Sequence, residues 1–140
     1  MQNINGSHPN IVQLLGYDKE WSPHAPALFY EYCPLGDAYS HALDVRHDVG
    51  FVPEAMIWKL FMDISEALYF LHHCCEPPLI HGDVKPENIL VSAPDGGTAW
   101  EDEIRFVPQF KLTDFSRTTD YLPGRQADYR FQGTFEYAPP

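Results

Sequence analysis

Cysteine is scarce in this chain, 3 in 140 residues, and two of the three are the adjacent Cys74 and Cys75. That supply supports no disulfide framework. Basic residues are few as well: 9 Lys and Arg stand against 20 Asp and Glu, a formal net charge of -11. Nucleic acid and anionic membrane are therefore not expected as partners, because a phosphate-binding surface needs clustered cations and none occur here. No uncharged apolar run approaches the ~20 residues of a membrane helix. The opening stretch Met1–Ser7 has neither a charged leader nor a long apolar segment. The expectation is an intracellular, cytoplasmic, soluble chain.

What the chain does contain is ordinary globular material. Hydrophobic residues make up 44% and aromatics 14%, enough for one modest domain to bury a core. Two apolar runs, 11–17 and 27–32, read as neighbouring strands separated by a loop with Pro23 and Pro26. Gly36-Asp37 opens a brief helix through Leu43, with Asp37 near its start. After Pro53, apolar residues at Met56, Ile57, Leu60, Phe61, Ile64, Ala67, Leu68 and Leu71 follow spacings of three and four, which predict one long helix. Pro77-Pro78 forbids its continuation. Trp58, Phe61, Tyr69 and Phe70 on that helix are assigned to packing. Short strands follow at 79–80, 89–91 and 110–113, and residues 92–108, with Glu101-Asp102-Glu103, read as an exposed acidic loop.

Chemistry concentrates in two polar clusters. His81-Gly82-Asp83-Val84-Lys85-Pro86-Glu87-Asn88 holds an acid, a lysine and an amide in one tight loop, and Asp114-Phe115-Ser116 returns a second acid from a later segment. Carboxylate and amide oxygens are hard ligands suited to a divalent cation that shares phosphate oxygens. An ammonium group neutralises phosphoryl charge, and a carboxylate accepts a hydroxyl proton. His72-His73-Cys74-Cys75 is not assigned to metal: adjacent ligands at a helix end point apart, and no second pair stands at finger-like spacing. Thr118, Thr119, Tyr121 and Tyr129 are hydroxyls of which none is singled out for modification.

Those clusters resemble the eukaryotic protein kinases, whose catalytic loop reads H-R-D-L-x-x-x-N and is followed by D-F-G. Other blocks fit in order. Ser7-His8-Pro9-Asn10-Ile11-Val12 is similar to the family's entry into its fourth strand, and Phe29-Tyr30-Glu31-Tyr32-Cys33 with Gly36-Asp37 to its hinge. Gly133-Thr134-Phe135-Glu136-Tyr137-Ala138-Pro139-Pro140 looks like the end of its activation segment. The resemblance implies an α+β, protein-kinase-like but incomplete domain over 1–140. Residues 1–33 would be the end of the small lobe and the hinge, and 34–140 the large lobe through the activation segment.

By the same resemblance the activity is ATP-dependent phosphorylation of a protein hydroxyl, with Mg²⁺ as the metal. Asp83 would act as catalytic acceptor and Lys85 as the phosphoryl-neutralising catalytic group, with Asn88 and Asp114 as metal ligands. Lys85, Asn88 and Asp114 would also hold the nucleotide phosphates. Glu31 and Cys33 would meet adenine through their backbones, Asp37 the ribose, and Leu90 the underside of the ring, with Tyr30 guarding the back of the pocket. His81 would support the loop backbone, and Thr134 would contact Asp83 and Lys85. The lysine two residues after Asp83 resembles serine/threonine kinases, so the expected partner is a protein with a Ser or Thr acceptor.

Three departures from the pattern carry expectations of their own. Gly82 stands where most of the family has arginine, so activity should not depend on a phosphate in the activation segment. Ser116 replaces the glycine of D-F-G, which narrows the backbone's choices where positive φ is needed. No G-x-G-x-x-G or V-A-I-K lysine occurs before Ser7. The 140-residue polypeptide by itself is therefore expected to be inactive, and the rival reading is a non-catalytic, pseudokinase-like interaction module or a gene-model fragment.

Overall fold

The computed structural model describes residues 8–22, 25–93, 108–124 and 133–138. Most of the expected acidic loop (94–107) lies outside the described residues, as do Ser7, Pro23, Tyr129, Pro139 and Pro140.

Helix α1 spans Ala38–Val49. Asp37 caps it, accepting the Ser40 N–H at 2.9 Å and the Ser40 hydroxyl at 2.8 Å, which satisfies a donor the first turn otherwise leaves open. The helix runs past Leu43, the end expected from its sequence. Val45 extends the buried face begun by Ala38 and His41, and the chain turns only at Gly50, whose φ of 87° closes the last turn on the Arg46 carbonyl.

Helix α2 spans Glu54–His73 and follows the apolar spacing closely. Its inner line is Met56, Ile64, Ala67 and Leu71, all buried. The outer flank corrects the sequence expectation: Ile57, Trp58, Phe61 and Tyr69 are exposed, so three of the four aromatics assigned to packing face outward. A helix meeting one narrow hairpin buries a single stripe, and the contacts of Trp58 and Tyr69 a quarter turn away are with their own helix, Trp58 donating to Glu54 and Tyr69 lying against His73. Phe70 alone packs inward, its ring 5.0 Å from that of His8.

The strands form three separate pairs. β1 (Leu14–Asp18) and β2 (Ala27–Tyr30) are antiparallel, with an irregularity between Leu14 and Gly16. Ile11 and Val12, expected in the first strand, leave it. Ile11 bridges Leu112 and the Val12 N–H bonds the Leu112 carbonyl at 2.9 Å, because both side chains gain burial against the core there. β3 (Leu79–Ile80) pairs with β6 (Thr119–Asp120), and β4 (Ile89–Ser92) with β5 (Gln109–Leu112). β3 and β4 flank the polar loop 81–88, yet each takes its partner from the later chain.

Val91, Phe110, Leu112, Ala67 and Leu71 are fully buried and join α2 to the β4–β5 hairpin. Burying a Leu or Phe side chain contributes roughly 1.5–3 kcal/mol. One polar group is built into that apolar joint. Asp63 on α2 accepts the Phe110 N–H at 2.9 Å and binds Lys59 Nζ at 2.6 and 2.7 Å. The helix and β5 are thereby fixed in register, which sets where the chain leaves β5 for Asp114. Asp63→Ala should cost about 1–3 kcal/mol, the penalty for an orphaned buried donor. Urea denaturation measures the loss, and hydrogen exchange should show the Phe110 amide among the most accelerated; an unchanged Phe110 amide would contradict the assignment.

Candidate active site

The loop after β3 is organised from its first residue. His81 is 1% exposed. The Asp83 N–H donates to its Nδ1 at 3.3 Å, so Nδ1 carries no proton, and Nε2–H donates to the Thr113 carbonyl at 2.9 Å. That is one neutral tautomer with both nitrogens used. Burial pushes the His81 pKa below its ordinary value, against the opposing pull of the Thr113 carbonyl, Asp114 and Asp83. His81 thus supports the loop backbone, as expected.

Asp83 follows, 7% exposed. Its Oδ1 accepts the Thr134 N–H at 2.7 Å and the Thr134 hydroxyl at 2.8 Å. Its Oδ2 accepts Asn88 Nδ2–H at 3.1 Å and lies 3.6 Å from Lys85 Nζ. Burial works to raise the carboxyl's pKa, but the bonds from Thr134, the Lys85 charge and Asn88 outweigh it and hold the group below the usual range. Asp83 is a buried anion made stable by donors. Lys85 Nζ also donates to Thr134 Oγ1 at 2.8 Å, so acid, lysine and threonine form one closed set.

Local backbone makes this possible. Lys85 is extended, and Pro86–Asn88 form a single 3-10 turn in which the Asn88 N–H returns to the Lys85 carbonyl at 2.9 Å. The turn brings Asn88 Nδ2 back onto the Asp83 carbonyl at 2.9 Å as well as onto its side chain. Because Asp83 only accepts, the amide's nitrogen faces it and the amide's oxygen faces the other way.

Asp114 arrives from β5. The Thr113 N–H bonds the Asn88 carbonyl at 3.0 Å while the Thr113 carbonyl takes the His81 bond, so the residue before Asp114 is clamped to both ends of the loop. Asp114 itself is exposed, at φ 59° and ψ 72°, and accepts the Ser116 N–H at 3.3 Å. Aspartate tolerates this left-handed backbone because its short side chain bonds locally. Ser116 lies inside the 3-10 turn Phe115–Arg117 and is not among the positive-φ residues. The left-handed step falls on Asp114, and serine in place of glycine is accommodated without strain.

The hinge residues lie farther out. The Glu31 N–H bonds the Gln13 carbonyl at 2.9 Å, and its carboxylate accepts the Gln13 N–H and the Lys111 ammonium, each at 2.7 Å. Cys33 is buried, and burial, with the nearby Glu31 charge, raises its thiol pKa. Asp37 and Leu90 form a backbone bridge that puts them side by side, but both Asp37 oxygens already serve Ser40. Tyr30 is half exposed at the end of β2, its backbone opposite Leu14. Two participants were not singled out from the sequence. Lys111 is a lone cation between the buried Phe110 and Leu112, and Arg117 Nε stands 3.9 Å from Asp83 Oδ2.

The family model described as protein kinase domain matches residues 1–140. Serine/threonine-protein kinase PBS1 of Arabidopsis thaliana is 34% identical over 139 residues, covering 95% of this chain and 26% of the relative. A receptor-like serine/threonine-protein kinase of Arabidopsis thaliana is 35% identical over 85 residues, 61% of this chain and 12% of the relative. Aurora/IPL1-related protein kinase 2 of Caenorhabditis briggsae is 32% identical over 120 residues, 83% of this chain and 36% of the relative. The chain thus spans between 12% and 36% of the length of these three curated relatives. No helix among the described residues is long and apolar enough to cross a membrane.

Neutral His81 makes the fold sensitive to acid. Its folded pKa lies below the ordinary 6.5, so its contribution is complete above that value and is lost as pH falls through the folded value. His8, lowered by burial against the opposing Glu66, acts in the same direction. Thermal midpoints should hold steady down to about pH 7 and then decline toward about pH 5. His81→Asn should melt lower at neutral pH and show a shallower decline, with His8 keeping its share; an undiminished acid slope would contradict the role given to His81.

Proposed function

The chain belongs to the protein kinase family, whose domain model covers residues 1–140, and from that premise we propose that it carries the phosphoryl-transfer site of an ATP-dependent protein serine/threonine kinase. In this reading residues 1–33 are the end of the small lobe with the hinge, and 34–140 the large lobe through the activation segment. The family generally uses ATP with Mg²⁺ and acts on proteins. The observation that carries the reading is the Asp83 carboxylate: buried, ionised, flanked by Lys85, and tied through Asn88 and Thr113 to Asp114.

Roles follow from which lone pairs are already committed. Each carboxylate oxygen offers about two acceptor sites. Oδ1 of Asp83 gives both to Thr134 and Oδ2 gives one to Asn88. Oδ2 is therefore the oxygen that orients a substrate hydroxyl and takes its proton. Lys85, on the same side, meets the charge that develops on the transferred phosphoryl group. Asn88, through its amide oxygen, and Asp114 are the metal ligands and, with Lys85, the phosphate-binding residues.

The donor set suits Mg²⁺. Among the described residues no group of three or more His, Cys, Asp or Glu is able to hold a metal by itself. A pair of hard oxygen donors fits a cation that keeps its waters and shares phosphate oxygens. When bound, Mg²⁺ would supply charge neutralisation on those oxygens. The backbones of Glu31 and Cys33 would receive adenine, Asp37 the ribose through the second acceptor site on each oxygen, and Leu90 the underside of the ring. The acceptor is a protein Ser or Thr, a reading supported by Lys85 and by the serine/threonine kinases among the relatives.

The test is a chimera in which residues 8–140 replace the matching segment of a complete kinase domain. It should phosphorylate Ser or Thr peptides, and Asp83→Asn should lower kcat by about 10²–10⁴, the usual contribution of a positioned proton acceptor. Equal turnover with Asp and Asn at position 83 would defeat the catalytic reading and favour a non-catalytic interaction module.

A further inference from the structure

The ladder between β3 and β6 continues beyond both strands. The Tyr121 N–H reaches the Pro78 carbonyl at 2.7 Å. Leu79 then faces Asp120, and Ile80 faces Thr119. One step on, the Thr118 hydroxyl donates to the His81 carbonyl at 3.4 Å. The same antiparallel progression brings Arg117 opposite Gly82, and there the two backbones touch. A Cβ on Gly82 would sit 2.6 Å from the Arg117 carbonyl oxygen, and Gly82 has φ +84°. Contact and conformation both demand glycine, since the obstructing atom is backbone and cannot swing aside. The close approach delivers a cation: Arg117 Nε lies 3.9 Å from Asp83 Oδ2.

We propose that Arg117 is a positioning residue for Asp83, brought to the carboxylate across the ladder because Gly82 has no side chain. The inference rests on the phosphoryl-transfer reading of Asp83 and adds a group that reading did not require. Asp83 meets Thr134 on one oxygen, and Asn88, Lys85 and Arg117 on the other, with His81 holding its N–H. Thr134 and Arg117 both belong to the segment following Asp114, and Arg117 is the one near its start. It therefore couples the start of that segment to the acid, as Thr134 couples its end. The guanidinium is 45% exposed, so its electrostatic pull is modest. Its value lies in holding the orientation of Oδ2 with no phosphate between the two segments.

The test uses the same chimera, with kcat and KM read separately and Asp83→Asn as the reference for lost catalysis. Arg117→Gln should lower kcat by up to about fivefold, the value of a surface ion pair, with KM for ATP unchanged, and Arg117→Lys should recover most of that loss. Gly82→Ala should lower kcat too, and the double variant no further than the larger single, because both act through one contact. A kcat unmoved by Arg117→Gln, or losses that multiply in the double variant, would overturn the proposal. If Gly82→Ala does not fold, the comparison of Gln with Lys decides by itself, since a purely structural Arg117 would change the thermal midpoint without a kcat loss that Lys restores. Equal turnover with Asp and Asn at position 83 would remove the kinase reading, whereas a kcat loss in Asp83→Asn with none in Arg117→Gln removes this proposal alone.

Discussion

Thr113 is bonded in two directions, its N–H to the Asn88 carbonyl and its carbonyl to the His81 ring. Those two bonds close the polar loop onto the strand that leads to Asp114. Remove them, and the two acids belong to unrelated segments. The clamp requires a proton on His81 Nε2; the Asp83 N–H on Nδ1 fixes that tautomer, and burial keeps the ring neutral. A charge-free imidazole in the interior thus fixes where two charged side chains emerge. It also requires β5 to end at the right height, which the Asp63 bond to Phe110 and the fully buried Phe110 and Leu112 secure.

Two buried acids show how one physical problem leads to different outcomes. A desolvated carboxylate needs donors. Asp63 receives them from Lys59 and the Phe110 amide within a joint between helix and strand, and its consequence is register. Asp83 receives them from Thr134 and Asn88, with Lys85 and Arg117 beside it, at the meeting point of several loops. Segments distant in sequence have to arrive together before Asp83 is satisfied. Its environment consequently reports on the folding of the whole region.

Much of this was legible in the chain. Periodic apolar spacing located α2 within a residue or two, and Asp37 marked the start of α1, because both signals are local. The ordered polar blocks named the residues that gather in the site, since their chemical types and spacing are written in the sequence. Other features were not. The outward-facing Trp58, Phe61 and Tyr69 depend on how broad a surface the hairpin offers to α2. The departure of Ile11 and Val12 to β5 depends on a partner a hundred residues away. The backbone at Ser116 proved ordinary, because the left-handed turn moved to Asp114, whose side chain stabilises it locally.

The sequence alone determined helix α2, the Asp37 cap that opens α1 and the inventory of acid, lysine, amide and imidazole, because those follow from spacing and side-chain chemistry. Only the tertiary structure decided that Gly82 and Arg117 touch, that Lys111 braces Glu31, and that the expected Thr134 contact takes both bonds on one Asp83 oxygen. Each of these depends on strand pairing and on segments far apart in the chain. Such pairing is set by the balance of burial and hydrogen bonding over the whole molecule, which no local window of residues contains.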